Sequence, residues 1–218
     1  AGNKARLAVG KFAASCYIKQ VQAGLTLGEI PVTTLCKTSV CRIPGLADGT
    51  VTMSGYWDSG ATSADPDALL TAILGSSSAH IWTYGPAGFS VGSPVIASGA
   101  RPVSYDRAAT VDGAVEFAFS AALDDTADVQ GYSLHDLAAE TATGTGTVFD
   151  GTNSSTNGGG AYLHVTAFSG ITSIAVKIQH ATTAGGTYTD LATFTTATGT
   201  TSEQVVVAAG TTVNRYLR

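Results

Sequence analysis

The sequence predicts a mainly β fold with one short helix, on three observations. Of 218 residues, 31 are Thr, and this residue type favours the pleated, half-solvated surface of a sheet. Apolar and polar residues alternate with period two in several segments, which indicates strands with one buried face. Glycine-containing pairs separate these segments and predict turns. A hydrophobic share of 44% argues against a disordered chain.

The alternation is clearest in four segments, and each predicts a strand. They are residues 50–58, 115–120, 163–166 and 174–179. In the second, Val115, Phe117 and Phe119 share one face, so that face is expected to be buried. The predicted turns are Asp48-Gly49, Asp112-Gly113, Asp150-Gly151, Asn157-Gly158 and Gly185-Gly186.

One segment predicts a short helix, from Pro66 to Gly75. Asp65 can cap its first turn, Pro66 supplies the φ angle of the first helical position, and Gly75 can end it. The apolar residues between them lie at spacings of one, three and four, which makes a stripe about two turns long. Because so short a helix is marginal alone, we expect it to pack on a sheet.

Residues 140–160 are poor in apolar side chains and rich in Gly, Thr, Ser and Asn. This composition is typical of a linker, which we place at 141–154. The predicted domains are therefore 1–140, which carries the helix, and 155–218, a small all-β unit.

The net charge of −5 is unevenly distributed along the chain. Residues 1–50 hold six basic and two acidic side chains, whereas residues 51–150 hold two basic and twelve acidic ones. An acidic middle segment argues against ordinary nucleic-acid binding, which needs Lys and Arg to displace phosphate counterions. It is compatible with a solvated acidic face, or with a surface along which DNA passes without adhering.

No motif in the chain predicts catalysis, a cofactor or a metal. The three cysteines form no CxxC pair, and the four histidines are scattered. Nucleotide-binding, zinc-protease and serine-hydrolase signatures are missing from the sequence. We interpret Asp124, Asp125 and Asp128 as an exposed acidic turn. The pairs Tyr56-Trp57 and Trp82/Tyr84 could stack on a sugar, although at strand spacing core packing is the stronger interpretation.

The run PVTTLCKTSVCRIPGLADGTVTMSGYWDSG, from Pro31 to Gly60, followed by DPDALLTAIL, resembles the major tail protein of long non-contractile-tailed bacteriophages. That family has a TT-containing segment, a basic residue with an IPGL-type turn, a DGxVxxSGxxD strand and a short helix. The likeness continues through WTYGPAGFSVGSPV and VSYDRAATVDGAVEFAFSAA to the C-terminal AYLHVTAFSG…VNRYLR. Family members often have a Gly-Asp-Ser-like turn where this chain has Cys36-Lys37-Thr38.

The resemblance implies that residues 1–140 form a tail tube domain, a β-sandwich closing toward a barrel with one flanking helix. It implies six-membered rings that stack into a tube, with residues 155–218 on the exterior. The loop from Thr33 to Asp48 would contact the neighbouring ring or subunit. The residues expected in that contact are Lys37, Arg42, Ile43, Pro44 and Leu46.

The acidic middle segment would then line the lumen, where it repels the phosphates of passing DNA. The candidate residues are Asp106, Asp112, Glu116, Asp124, Asp125 and Asp128. The implied partners are the tape measure, tail terminator and baseplate proteins, and the implied location is the virion after assembly in the host cytoplasm, without membrane insertion. The alternative is a receptor- or carbohydrate-binding β-sandwich module.

Overall fold

The computed structural model describes residues 4–34, 38–58, 66–111, 113–124 and 129–218. Most of its regular structure is β. The first elements are β1 (Arg6–Val9), β2 (Phe12–Ala13), β3 (Ile18–Pro31), β4 (Arg42–Tyr56), α1 (Pro66–Ile73), β5 (His80–Gly85), β6 (Pro94–Ala108) and β7 (Glu116–Leu123). The others are β8 (Val129–Tyr132), β9 (Phe149–Asp150), β10 (Gly159–Val165), β11 (Lys177–Ala181), β12 (Thr189–Thr193), β13 (Thr201–Val207) and β14 (Tyr216–Leu217).

The chain divides into two compact units. Unit 1 comprises Ala1–Cys16, Ile81–Ala97 and Val129–Arg218, and unit 2 comprises Tyr17–His80 and Ser98–Asp128. The strand β6 belongs to unit 1 at its start and to unit 2 over the rest of its length. These limits differ from the domain boundaries at 140/141 and 154/155 that the composition indicates, and those boundaries stay a prediction.

Unit 2 is an antiparallel sheet in the order β6-β7-β4-β3. One face carries Val51 and Met53 of β4 beside Phe117, Phe119 and Ala121 of β7, and all five are buried. The alternation in the sequence predicts this face, because successive strand residues point to opposite sides. Met53 lies opposite Phe119 in the register of the two strands, and Val51 lies opposite Ala121.

The helix α1 covers that buried face. It begins at Pro66 and ends at Ile73, and Gly75 then takes a φ of +78°, which favours glycine. Leu69, Leu70 and Ile73 are buried. The predicted helix is therefore confirmed, whereas the predicted cap Asp65 lies outside the described residues.

Three polar side chains fasten the first turn of α1 to β6. The Tyr105 hydroxyl donates a hydrogen bond to Asp67 Oδ1 at 2.7 Å, and Arg107 Nε donates to the same oxygen at 2.6 Å. The Tyr105 ring also lies edge-on to Phe117, with centroids 6.0 Å apart. Burial and the bond to Asp67 raise the pKa of Tyr105 to about 12. Although burial opposes ionisation of Asp67, the bonds from Tyr105 and Arg107 lower the pKa of this carboxyl.

We expect Tyr105→Phe to lower the free energy of unfolding by about 1–2 kcal/mol, because it removes a hydrogen bond to a charged group and keeps the ring. Urea denaturation at pH 7 measures the change. Tyr84→Phe is the matched control, since it removes a tyrosine hydroxyl from unit 1. An unchanged midpoint for Tyr105→Phe would contradict the role assigned to this bond.

Unit 1 contains several smaller antiparallel pairings. The strands β2, β1 and β5 are neighbours in that order, and β8 pairs with the first residues of β6. Farther along the chain β10 pairs with β13, and a four-stranded sheet has the order β12-β11-β14-β9. Ala161, Ala192 and Phe194 form a small core, against which Val176, Ile178 and other partly buried side chains pack.

The predicted fold class, mainly β with one short helix, is confirmed for the described residues. The predicted turn at Asp48-Gly49 is wrong, because both residues lie within β4 and pair with Thr26 and Leu25 of β3. Asp48 Oδ1 instead accepts a hydrogen bond from the Gly49 N–H at 2.8 Å. Across the described ranges, no helix combines the length and the apolar character needed to span a bilayer.

Candidate assembly surfaces

The outer half of the β3–β4 hairpin is an exposed apolar feature of unit 2. β4 pairs with β7 only from Thr50 to Tyr56, so its earlier residues pair with β3 alone among the described strands. We call this two-stranded part, residues 24–31 and 42–49, the ribbon. A two-stranded ribbon without a third strand or a covering helix is marginally stable in water.

Apolar side chains on the ribbon are open to solvent. Leu27 is 56% exposed and Leu46 is 91% exposed, and Leu25, Ile30 and Ile43 are also exposed. The strand register places Leu25 and Leu27 on the same face as Val21, which lies opposite the buried Met53. The apolar stripe of the core face therefore continues outward along the ribbon. Exposed apolar side chains that adjoin one another are typical of interaction surfaces.

The Ile43-Pro44-Gly45-Leu46 segment lies within strand β4, not at the tip of a loop, so this part of the loop prediction is wrong. A proline in a strand has no N–H to donate and is tolerated at edges and irregularities. Both conditions hold here: Pro44 lies opposite Glu29 beside a register shift between Leu27 and Glu29, and one side of this strand segment has no strand partner among the described residues.

The predicted contact residues are partly brought together on the ribbon. Ile43 lies opposite Ile30, and Leu46 is displayed on the same strand. Arg42 Nε contacts Glu29 Oε2 across the ribbon at 2.8 Å, and both side chains are largely exposed. The positive charge of Arg42 is therefore paired with Glu29 within the ribbon. Lys37 lies outside the described residues.

The sheet of unit 2 has a second face that carries small polar side chains, opposite the buried face. We call it the open face. Because α1 covers the side with Phe117 and Tyr105, alternation places the neighbouring residues on the other side. They are Gln20, Gln22, Thr50, Thr52, Ser54, Ser104, Asp106, Glu116, Ala118 and Ser120. Ser104 Oγ and Ser120 Oγ lie 2.9 Å apart on this face.

The six acidic candidates fall into three groups. Asp106 and Glu116 lie on the open face, and Lys19 Nζ contacts Glu116 Oε1 at 3.0 Å. Both side chains are about half exposed, so the ion pair carries no large cost of charge burial. Asp124 follows β7 and contacts Arg101 Nε at 2.8 Å. Asp112, Asp125 and Asp128 lie outside the described residues.

The uncharged residues of the open face are not among the predicted site residues. The prediction of a DNA-facing surface rests on carboxylates, whereas most side chains on this face are hydroxyls, amides and methyl groups. The signal was present in the polar half of the alternation: Thr50, Thr52 and Ser54 alternate with the buried residues of β4. Leu25 and Leu27 are not among the predicted contact residues either, because an apolar residue in a strand is usually buried, whereas these two are exposed.

The aromatic residues considered for sugar binding do not form an open platform. Trp82 is 2% exposed and belongs to the core, as strand packing predicts. Lys19 Nζ lies over the exposed Tyr56 ring, 5.7 Å from its centroid. In unit 1 the guanidinium of Arg218 lies 3.9 Å from the Tyr188 ring centroid, and that of Arg215 lies 5.0 Å from the Tyr216 centroid.

The Arg215 side chain also forms a two-point ion pair that fastens β9 to β14. Its Nε and Nη2 atoms each lie 2.7 Å from an oxygen of Asp150, and the Thr152 N–H donates to Asp150 Oδ1. The Arg215 hydrogen bonds, followed by the Thr152 N–H, lower the pKa of Asp150 to about 2. The stabilisation from this pair is present above about pH 4, near the aspartate pKa of the unfolded chain, and is lost as pH falls to about 2.

We expect Arg215→Gln to raise the pKa of Asp150 toward the ordinary aspartate value of about 3.9. Carbon-detected NMR of the Asp150 carboxyl during an acid titration measures this change. Arg218→Gln is the matched control, because it removes an arginine from the same C-terminal segment and leaves the Asp150 pair intact. A wild-type Asp150 that titrates near 4 would contradict the ion pair.

Within the described residues, no group of three or more His, Cys, Asp and Glu side chains is arranged to hold a metal ion. Cys16 and Cys41 are free and exposed. The ribbon offers apolar side chains for contact with another molecule, and the open face offers mainly hydroxyl and amide groups.

No protein-family profile and no curated protein matches this chain. Several solved structures resemble it at low identity. The SPP1 tail tube is 10% identical with a TM-score of 0.47, covering 61% of this chain and 78% of that one. The sheath–tube complex of the extracellular contractile injection system PVC is 14% identical with a TM-score of 0.45, covering 59% and 88%. A native gene transfer agent virion chain is 13% identical with a TM-score of 0.43, covering 61% and 97%. The chain is thus similar to proteins of tails and related particles, at a level that is distant for all three.

Proposed function

We propose that this chain is a structural subunit that self-assembles into stacked six-membered rings, the tube of a phage tail through which DNA passes. The observation that carries the proposal is the ribbon, a two-stranded extension with an exposed apolar stripe. Such a ribbon is marginal alone and would be stabilised by packing on another copy. The order of motifs in the sequence, from the TT segment to the C-terminal VNRYLR, supports the same function.

The sheet of unit 2 supplies a means of joining copies side by side. Its outermost strand β3 has β4 on one side and no strand partner on the other among the described residues. An unpaired edge is a template for another strand, and a ring that adds sheet to sheet satisfies it. Contacts between different patches on neighbouring copies close into rings when the rotation permits, and ring faces that fit each other extend into a tube.

The open face would line the lumen in this arrangement. Its hydroxyl and amide side chains offer DNA phosphates no cluster of cations, and Asp106 and Glu116 add negative charge. Lys19 is paired with Glu116, which limits its attraction for phosphate. DNA would therefore move along the surface without specific binding. The role is structural, without catalysis or a cofactor.

Residues 155–218 would lie on the exterior of the tube, and the ribbon with Arg42, Ile43, Pro44 and Leu46 would contact the next ring or subunit. Lys37 belongs to the same predicted contact. Tape measure, tail terminator and baseplate proteins would be the partners that fill, end and start the tube. The subunit would assemble in the host cytoplasm and reside in the virion.

Negative-stain electron microscopy of the purified chain, over a range of protein concentrations, tests the proposal. Hollow tubes with regular striations, whose end views show six-fold symmetry, are the expected result. Light scattering after size-exclusion chromatography on the same samples gives the mass of the particles. A monomer at all concentrations that binds glycans on an array would contradict the tube and favour the carbohydrate-binding alternative.

A further inference from the structure

His164 joins three segments of unit 1 that are far apart in the sequence. It lies on β10, and its Nδ1 atom is 2.7 Å from the carbonyl oxygen of Gly10 in the turn between β1 and β2. Its Nε2 atom is 2.8 Å from Thr83 Oγ1 on β5. Both ring nitrogens are therefore used in holding β10 against the N-terminal hairpin and β5.

These partners determine the protonation of the ring. A carbonyl oxygen can only accept, so Nδ1 must carry a hydrogen and donate to Gly10. In the neutral ring Nε2 is then an acceptor, and the Thr83 hydroxyl donates to it. Thr83 is buried, so its hydroxyl has little access to water as a substitute partner. Protonation turns Nε2 into a donor, so the Thr83 hydroxyl must rotate to accept from it, and the hydroxyl hydrogen then loses the ring as its acceptor in a buried site. Protonation also adds a positive charge to the ring.

The anchor point on the turn is itself fixed. Gly10 takes a φ of +53°, a conformation that favours glycine, and its N–H donates to the Ile81 carbonyl of β5 at 2.7 Å. The Gly10 carbonyl is thus held in place by β5 and directed to His164. Because β5 holds the turn, the turn cannot follow a shift of β10. Such a shift would therefore break the hydrogen bond between His164 and the Gly10 carbonyl.

No carboxylate faces His164 from the strands and the turn that hold it. On its side of the β10–β13 pair, alternation places Tyr162, Ser202 and Gln204. Lys11 follows Gly10 in the turn. On β1, Ala8 lies opposite Thr83, and Arg6 is on the same side of that strand as Ala8. On that side of these elements the charged residues, Lys11 and Arg6, are therefore basic. Burial lowers the pKa of His164, and the hydrogen bond to the Gly10 carbonyl opposes this shift only in part.

We propose that His164 is a pH-sensitive latch: the neutral ring fastens the β10–β13 layer to the β1–β2 turn and β5, and protonation releases that layer. The direction follows from linkage. A histidine in the released layer has the ordinary pKa of about 6.5, above its value in the closed state. The latch is therefore fully effective above about pH 6.5, and it weakens as pH falls below that value because the released state takes up the proton.

Hydrogen–deuterium exchange of the full chain at pH 7.5 and pH 5.0 tests the latch, with rates corrected for the intrinsic effect of pH. The sample is kept at a concentration where it is unassembled, so the result does not depend on the proposed tube. We expect the protection of peptides covering residues 159–165 and 201–207 to fall about tenfold at pH 5.0. In His164→Gln, which keeps a donor and an acceptor without titrating near neutral pH, protection should be the same at both values.

His180→Gln is the matched control, since His180 lies on β11 of the same unit and its Nδ1 accepts from the Asn214 N–H at 3.1 Å. It should keep the wild-type pH response. An equal pH response in His164→Gln would overturn the proposal. If that variant does not fold, ¹⁵N NMR of the wild-type imidazole decides: a ring with hydrogen on Nδ1 and a pKa below 6.5 supports the latch. Hydrogen on Nε2, or a pKa of 6.5 or above, would overturn it.

Discussion

A Leu46→Asp substitution should abolish tube formation while the subunit stays folded. Leu46 is 91% exposed in the single chain, so an aspartate there costs the isolated fold little. In an assembled contact the same position would lose about 2 kcal/mol of leucine burial and place an unpaired carboxylate in an apolar interface, at a cost of several kcal/mol more. Since 1.4 kcal/mol is a factor of ten, the concentration needed for assembly should rise at least ~100-fold.

Sedimentation across a dilution series, followed by electron microscopy of the pellet, measures that concentration. Val206→Asp is the matched control: it places the same charge at an apolar residue that is 71% exposed, on β13 of unit 1. Far-ultraviolet circular dichroism should show that both variants keep their strands. Tubes formed by Leu46→Asp at the wild-type concentration would exclude Leu46 and its face of the ribbon from the contact, whereas loss of tubes in both variants would point to an effect of charge alone.

The sequence contains enough information to predict α1 and the buried face of β7. Pro66, Gly75 and the apolar stripe between them lie close together in the chain, and local signals of this kind suffice for a short helix. The predicted stripe of Ala68, Leu69, Ala72 and Ile73 is only half right, because Ala68 and Ala72 are exposed and Leu70 is buried. Phe117 and Phe119 are recognisable as core residues because the period of two is a property of the strand itself. Both predictions depend on residues that are close together in the chain.

The length of β4 could not be predicted in the same way. Ile43-Pro44-Gly45 resembles a turn because proline lacks an N–H and glycine is flexible. The structure accommodates Pro44 beside a register shift between β3 and β4, where the extra residue lies on β4, and that shift depends on a partner strand more than ten residues away. Local patterns cannot predict the ion pair of Lys19 and Glu116 either, because these residues are 97 positions apart in the sequence. The latch at His164 joins residues 154 positions apart, so no spacing in the sequence could indicate it.

The second large effect concerns the core of unit 2: Phe117→Ala should lower the free energy of unfolding by about 3–5 kcal/mol. Phe117 is 2% exposed, and the Tyr105 ring lies edge-on against it. Across the sheet it lies opposite Gly55, where an added Cβ would come within 2.9 Å of the Phe117 ring, so the glycine leaves room for the ring. An alanine would leave a cavity that neither the strand backbone nor Tyr105 can readily fill, because Tyr105 is held by Asp67.

Tyr56→Ala is the matched control, since it truncates an aromatic side chain one position from Gly55 on the opposite, exposed face of β4. We expect its cost to be within about 1 kcal/mol. Urea unfolding of both variants, monitored by tryptophan fluorescence, compares them directly. Equal losses of stability would mean that Phe117 is not a core residue of a packed sheet and helix. A much larger loss for Phe117→Ala would show that the packing that stabilises the fold lies on the α1 side of the sheet. Polar residues on the open face could then be substituted without loss of the fold.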